Sequence, residues 1–301
     1  MSRGLKLKSI TSLSKYLIET AEITEQENGI YSCPIPHITA GMQANIDLFG
    51  HPKWRRDYLK PDRYSEALKA RWQKAIGSWD DKIVVDIGCG PGNIYATVGG
   101  SPRLLIGVDI SQGTLEIAQE VGYVPLLADA HHLPFVDAFA DLVVLNATLH
   151  HCDDMAKVLA EAARLVRPGG MLVTDNDPQV TAWNWKGLGL LLRKIRQHRA
   201  YWIVACKPYV ATSRQRLATE IHNQKPGDGI TTELYCQVLK PLDFTVKTYP
   251  HNHNLGAEVL QGELGRAPWT VRVPQRLSGL DPNSQAAAQS IMCIAERALR
   301  N

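Results

Sequence analysis

Val84-Val85-Asp86-Ile87-Gly88-Cys89-Gly90-Pro91-Gly92 is an apolar strand that runs straight into a glycine-dense turn. Val84, Val85 and Ile87 are the β-branched residues of a strand buried inside a parallel sheet. Gly88, Gly90 and Gly92 remove side chains where the chain turns sharply and where a ligand would approach the backbone. The spacing departs from two familiar cradles. Dinucleotide sites follow G-x-G-x-x-G, and the third glycine position is Asn93 here. Phosphate-binding P-loops need Lys-Ser or Lys-Thr after the glycines, and neither follows.

Outward from this turn the chain alternates strand and helix. Strands are expected at 83–87, 104–108, 124–127, 142–145 and 171–175, with helices at 114–120 (Ser111 as N-cap) and 155–165. Repeats of this length build a parallel sheet with helices on both faces, whose ligands lie beyond the carboxyl ends of the strands. Polar residues stand at those ends. Asp109 lies 21 residues after Gly88, where a carboxylate accepts hydrogen bonds from ribose hydroxyls. Asp129-Ala130 ends the next strand, and an Asp there pairs with an exocyclic amine such as adenine's. The plainer roles are a helix N-terminal acid for Asp109 and a turn former for Asp129.

From residue 84 to 176 the chain resembles the small-molecule branch of class I S-adenosylmethionine-dependent methyltransferases (methyltransferase domain 11-like). The resemblance rests on D-I-G-C-G-P-G at 86–92, D-A-x-x-L-P-F from Asp129 to Phe135, F-A-D-L-V-V-L-N-A-T-L-H-H from Phe139 to His151, and E-A-A-R-L-V-R-P-G-G from Glu161 to Gly170. It implies a Rossmann-like α/β fold with a seven-stranded, mostly parallel sheet whose last strand is antiparallel. It implies S-adenosyl-L-methionine as cofactor. Gly88, Cys89, Gly90 and Gly92 would wrap its methionine part, and Asp86 would steer the ammonium. Asp109 would take the ribose, with Ile110 in the same cofactor-binding set. Asp129 and Ala130 would take the adenine, and Asn146 would line the floor near the sulfonium.

The remaining residues define the expected frame. Residues 1–78 read as an N-terminal helical cap, with helices over 1–24 and 53–77. The core is expected at 79–177, a substrate-lid insertion at 178–230, and the completing strands at 231–301, with a further insertion at 251–285. His150 and His151, at the end of the fourth core strand, are candidate bases because imidazole titrates near neutrality. Five consecutive residues, 150–154, do not readily converge on one ion, so no metal is expected. His131-His132 and His251/His253 are left without a role. Tyr58, Trp183 and Trp185 are expected as substrate-pocket walls.

Charge is unevenly placed. Residues 79–185 hold 5 Lys/Arg against 14 Asp/Glu, whereas residues 186–225 hold 9 against one acid, Glu220. Trp183, Trp185, Leu188, Leu191, Leu192, Ile195 and Trp202 fall on one helical face. That face reads either as a lid laid on the core or as a peripheral membrane contact through 183–204. No apolar run approaches the roughly 18 residues of a membrane span. The six cysteines form no C-x-x-C pair and read as reduced thiols, so a cytoplasmic setting is expected.

The expected activity is methyl transfer to an O, N or C nucleophile of a small, hydrophobic or anionic molecule. Alternatives are a cofactor-binding scaffold or regulator without turnover, and an RNA or protein methyltransferase using the basic block. The chain has no N-P-P-Y-type motif after the fourth strand, because Ala147 follows Asn146, and no recognised nucleic-acid module, so nucleic acid is not expected as a partner. A nicotinamide dehydrogenase is disfavoured by Asn93.

Overall fold

The computed structural model describes residues 13–52, 55, 59, 66–197, 218–222 and 228–299. In chain order its elements are β1 (Thr24–Glu25), β2 (Tyr31–Ser32), α1 (Ala40–Phe49), α2 (Glu66–Ile76), β3 (Ile83–Ile87), α3 (Asn93–Val98), β4 (Leu104–Asp109), α4 (Gln112–Val121) and β5 (Val124–Leu127). Then come β6 (Ala140–Asn146), α5 (Met155–Leu165), β7 (Val166–Asp175), α6 (Val180–Trp183), α7 (Gly187–Gln197), α8 (Thr232–Leu239), β8 (Phe244–His251), α9 (Trp269–Leu277) and β9 (Ser290–Arg297).

The strands form one sheet in the order β1-β2-β5-β4-β3-β6-β7-β9-β8. From β2 to β7 every neighbouring pair is parallel, and β9 runs antiparallel to both β7 and β8. This is a Rossmann-like α/β architecture. The order reverses at β3, where β4 and β6 lie on either side, and such a switch point opens a crevice at the strand ends. The glycine turn follows β3 directly.

The sheet has nine strands where seven are expected from the sequence. The seven are the inner set, β3 to β9. The two extra strands come from the segment expected to be a helical cap. Within that expected helix, Ser14–Tyr16 form a 3-10 turn and Leu17 bridges to Phe135 in extended conformation. Residues 1–12 lie outside the described residues. The hairpin that follows turns at Asn28-Gly29, with Gly29 at φ 81°. The Gly29 N–H bonds back to the Gln26 carbonyl at 2.8 Å. Such an Asn-Gly pair is a strong hairpin signal. Of the expected helix at 53–77, residues 66–76 form α2, and residues 53–54, 56–58 and 60–65 lie outside the described residues.

Strand alternation divides the core. Val85, Ile87, Ile106 and Val108 pack on the face covered by α5 and α8. Val84, Leu105, Leu142 and Val144 pack on the opposite face against Trp72, Trp79 and Tyr123. Burying these β-branched and aromatic side chains stabilises the sheet by about 1.5–3 kcal/mol per large residue.

The expected single helix through 183–202 is broken. Residues 184–186 separate α6 from α7, and Gly187 takes φ 49°. Trp202 lies outside the described residues. No helix among the described residues is long and apolar enough to cross a membrane.

Candidate active site

A cavity of about 430 Å³ opens at the carboxyl ends of β3, β4, β5, β6 and β7. Gly88, Gly90, Asp109, Ile110, Asp129, Ala130, Asn146 and His151 line it, so most of the expected cofactor-binding set meets in one place. Gly88 and Gly90 both have positive φ, 68° and 53°, which favours glycine. A Cβ at Gly90 would meet nothing within 4 Å, so the turn presents bare backbone to open space. A Cβ at Gly88 would collide with the Thr148 side chain.

Asp109 braces this turn. Its Oδ2 accepts the Gly90 N–H at 2.9 Å and its Oδ1 accepts the Ser111 N–H at 2.8 Å. Burial raises the carboxyl above its ordinary value, against the pull of those N–H groups. The Thr114 side chain and the Ile110 N–H also reach this carboxylate, which lines the cavity.

Asp129 is held by its neighbour. His131 approaches Asp129 Oδ1 through its backbone N–H at 2.9 Å and through Nδ1 at 2.6 Å. The His131 Nε2 accepts the Asp154 N–H at 3.1 Å, which fixes the tautomer with the proton on Nδ1. Burial opposes ionisation of Asp129, but the His131 contacts outweigh it and hold the carboxyl below its ordinary value. His131, without a role in the sequence reading, is thus the brace of Asp129.

Several expected site residues lie elsewhere. Asp86 is not at the cavity wall. It is buried on the face of the sheet occupied by Val84, where Tyr123 Oη donates to Oδ2 at 2.7 Å. Burial pushes its carboxyl up to about 7, and the Tyr123 hydrogen bond only partly opposes that. Cys89 is turned inward as well, with its thiol raised by burial. Gly92 shapes the start of α3 at φ 88°, and a Cβ there would stand 2.7 Å from Tyr123. Tyr58 lies outside the described residues. Trp183 and Trp185 do not wall the cavity. They pack with Leu190, Ala267 and Val271, in a separate apolar cluster.

The two candidate bases divide. His150 points away from the cavity, its Nδ1 2.7 Å from Asp177 Oδ1. Burial lowers His150 to about 3 and raises Asp177 to about 7, so both are driven toward their uncharged forms. Asp177 Oδ2 is buried with no hydrogen-bond partner among the described residues. His151 lines the cavity. Its Nδ1 lies 2.6 Å from the Thr219 carbonyl, which only accepts, so Nδ1 carries the proton and Nε2 keeps its lone pair. Burial lowers His151 to about 3, and the ring is neutral at physiological pH.

Asn146 is oriented by a chain of donors that begins at Arg71. The Arg71 guanidinium only donates, and its Nη2 lies 3.4 Å from Asn176 Oδ1. That places Asn176 Nδ2 toward Asn146 Oδ1, at 2.7 Å. The Asn146 amide therefore has its NH₂ group left for the cavity. Asn176 and Ala147 sit at φ 66° and 54°, backbone strain at two adjacent strand ends.

Sequence reasoning missed the roof. Met42, Asn45, Leu48 and Phe49 of α1 line the cavity from above, and Thr219 and Glu220 close one side. Helix α1 starts at Thr39, whose hydroxyl accepts the Met42 N–H at 3.1 Å and donates to Asp153 at 2.8 Å. Its far end seats on α4, where a Cβ at Gly113 would stand 2.6 Å from the Gly50 carbonyl. The Thr39 cap ahead of apolar residues at 42, 46 and 48–49 was the available signal.

The family model described as "Methyltransferase domain" matches residues 85–174, the segment that builds this cavity floor. The chain carries a class I S-adenosylmethionine-dependent methyltransferase domain. A tRNA (carboxymethyluridine(34)-5-O)-methyltransferase of Arabidopsis thaliana is 30% identical over 135 residues, covering 42% of this chain and 31% of that protein. A ubiquinone biosynthesis O-methyltransferase of Thiobacillus denitrificans is 29% identical over 143 residues, covering 44% of this chain and 61% of the other. The matches thus span about a third to three-fifths of these relatives. A chain from the Haloferax volcanii complex of a methyltransferase with a methyltransferase activator shares the fold, with TM-score 0.50 and 14% identity over 85% of this chain and 98% of that one. The methyltransferase domain is cofactor-ready by its own geometry. Bare glycine backbone and two carboxylates, Asp109 and Asp129, meet along the cavity floor.

Proposed function

We propose that this protein transfers a methyl group from S-adenosylmethionine to a hydroxyl of a small molecule. The observation that carries the reading is the convergence of the glycine turn, Asp109, Asp129 and neutral His151 on one cavity. The cofactor, when bound, supplies an activated methyl on a sulfonium. The protein's share is to hold and align the acceptor, worth up to about 7–11 kcal/mol of the barrier in well-oriented reactions.

Gly88 and Gly90 would offer backbone to the cofactor's amino-acid end, Asp109 would accept from the ribose hydroxyls, and Asp129 would accept from the adenine amine. Met42, Leu48 and Phe49 cover the cavity and exclude water, which strengthens these polar contacts. The Asn146 NH₂ group donates to an oxygen of the acceptor molecule. His151 Nε2 accepts from its hydroxyl and turns an oxygen lone pair toward the donor.

The depressed basicity of His151 limits what it can deprotonate. A ring held near 3 is a weak base, so it suits acceptors that give up their proton readily: as the methyl passes from sulfur to oxygen a phenolic proton would leave through Nε2 to solvent, and a carboxylic acceptor is already ionised. The two relatives named above carry O-methyltransferase names, which agrees with an oxygen acceptor.

Isothermal titration with S-adenosylhomocysteine tests the cofactor site. A thioether-product assay over phenols, carboxylic acids, amines and a tRNA pool tests the acceptor. Turnover of phenols or acids supports the reading. Turnover only of amines or tRNA overturns the acceptor class, and binding without any product points to a non-catalytic scaffold.

A further inference from the structure

Helices α7 and α9 form an antiparallel pair on the rim of the fold, away from the cavity. Ser278 Oγ, at the end of α9, accepts the Lys186 N–H at 3.0 Å just before α7 begins. A Cβ at Gly189 would collide with the Pro274 carbonyl, so the glycine permits the close approach. Leu190 packs on Val271 and Trp185 beneath the pair. Three further apolar residues on each helix point outward. On α7, Leu188, Leu191 and Ile195 are 62%, 51% and 46% exposed, and on α9 Trp269, Val273 and Leu277 are 75%, 45% and 43% exposed.

Two packed helices that each keep an apolar row in solvent are unusual for a surface with no partner. The charge carried with these rows selects the partner. Residues 186–197 hold four Lys/Arg and no acid, and residues 269–278 hold two Arg and no acid. A second copy of this chain would set like charge against like charge. An anionic bilayer accepts both features, taking the apolar rows into its headgroup boundary and attracting the positive charge of the two segments.

We propose that the α7–α9 pair is a docking surface for the anionic face of a lipid bilayer. The surface is separate from the methyltransferase cavity, so the proposal stands or falls independently of the acceptor chemistry.

Flotation of the full chain with vesicles tests it, using phosphatidylcholine alone and phosphatidylcholine mixed with phosphatidylglycerol. The protein should float with the mixed vesicles, at least about tenfold more than with the neutral ones, and high salt should release most of it. The combined substitution Leu188→Ser, Leu191→Ser and Trp269→Ser should cut binding about tenfold or more with an unchanged melting temperature, since all three side chains are exposed. Arg272→Glu with Arg276→Glu should weaken binding to the mixed vesicles only. Wild-type protein that ignores the mixed vesicles overturns the proposal. So does binding indifferent to the serine variant, or a wild-type dimer that the serine variant dissociates while no vesicle binding is seen.

Discussion

Asp109→Asn separates bracing of the glycine turn from holding the cofactor. In the folded protein one carboxylate oxygen accepts the Gly90 N–H at 2.9 Å and the other the Ser111 N–H at 2.8 Å. Asparagine keeps the shape and one acceptor, and its NH₂ group then faces a backbone donor. One hydrogen bond to a charged group is lost, at about 1.5–3 kcal/mol. Removing the carboxylate also relieves the burial that raises its pKa, which returns part of that loss. The net fall in stability should be about 1–2 kcal/mol, seen as a melting shift of roughly 2–6 °C. The cofactor loses more, because the ribose hydroxyls lose the charged acceptor. Affinity for S-adenosylhomocysteine should fall about 10- to 150-fold, equivalent to about 1.5–3 kcal/mol. Isothermal titration and thermal melting on the same preparation read both numbers. A lowered melting temperature with the affinity unchanged would refute the ribose role and leave Asp109 as a turn brace alone.

His151→Ala should lower turnover of an acidic-hydroxyl acceptor by about 10²-fold with cofactor affinity retained; because burial holds the ring near 3, the wild-type rate should show no inflection between about pH 5 and pH 7 from this group, and one that vanishes in the variant would contradict its neutral state. Asp177 is pushed to about 7, above the unfolded value near 3.9, so between those values the folded protein keeps a proton that the unfolded chain has released, and this group's contribution to stability falls as pH rises through about 7. Asp177→Asn should therefore gain on the wild type by roughly 2–4 kcal/mol between about pH 5 and pH 8 in urea melts, and a pH-independent difference would exclude the raised pKa. Gly113→Ala forces a Cβ against the Gly50 backbone, 2.6 Å from its carbonyl oxygen, and should cost about 1–3 kcal/mol while loosening the roof; unchanged stability would mean that α1 does not seat there. Arg71→Met leaves buried Asp175 with only His251 beside it and should cost about 3–5 kcal/mol in thermal or urea melts, and a loss under about 1 kcal/mol would show that the Arg71 pair is not needed to hold that charge.

The parallel strands were legible because they are apolar runs, and an acid or amide ends β4, β6 and β7 and follows β5 by two residues, all sent by the topology to one edge. Asp109, Asp129 and Asn146 were found on that ground. Asp86 could have been placed by the same alternation, since it shares a face with Val84 and so cannot also point past the strand end. The hairpin of β1 and β2 and the roof helix α1 were missed although Asn28-Gly29 and Thr39 announce them. The hairpin strands are two residues each, and α1 carries apolar residues on every side, so the hydrophobic periodicity is weak. Trp183 and Trp185 were misplaced for a different reason. Their partners, Ala267 and Val271, lie some eighty residues away in sequence, and no local pattern encodes that meeting.

The least legible feature is the one that aims Asn146. Arg71 sits on α2 with no solvent exposure, in a stretch whose sequence reads as a charged helix face. Its guanidinium meets Asp175 at 2.8 Å and the Leu255 carbonyl at 2.8 Å, while His251 Nε2 takes the other Asp175 oxygen at 2.7 Å. Burial opposes ionisation of Asp175, but His251 and Arg71 outweigh it and hold the carboxyl well below its ordinary range. A buried ion pair adds little stability over an apolar replacement. What this one adds is direction. A guanidinium fixed by a carboxylate cannot accept a hydrogen bond, so Asn176 must turn its oxygen toward Arg71 and its NH₂ toward Asn146. Two amide orientations at the cavity floor are thereby set by one charge on a helix more than seventy residues away in sequence.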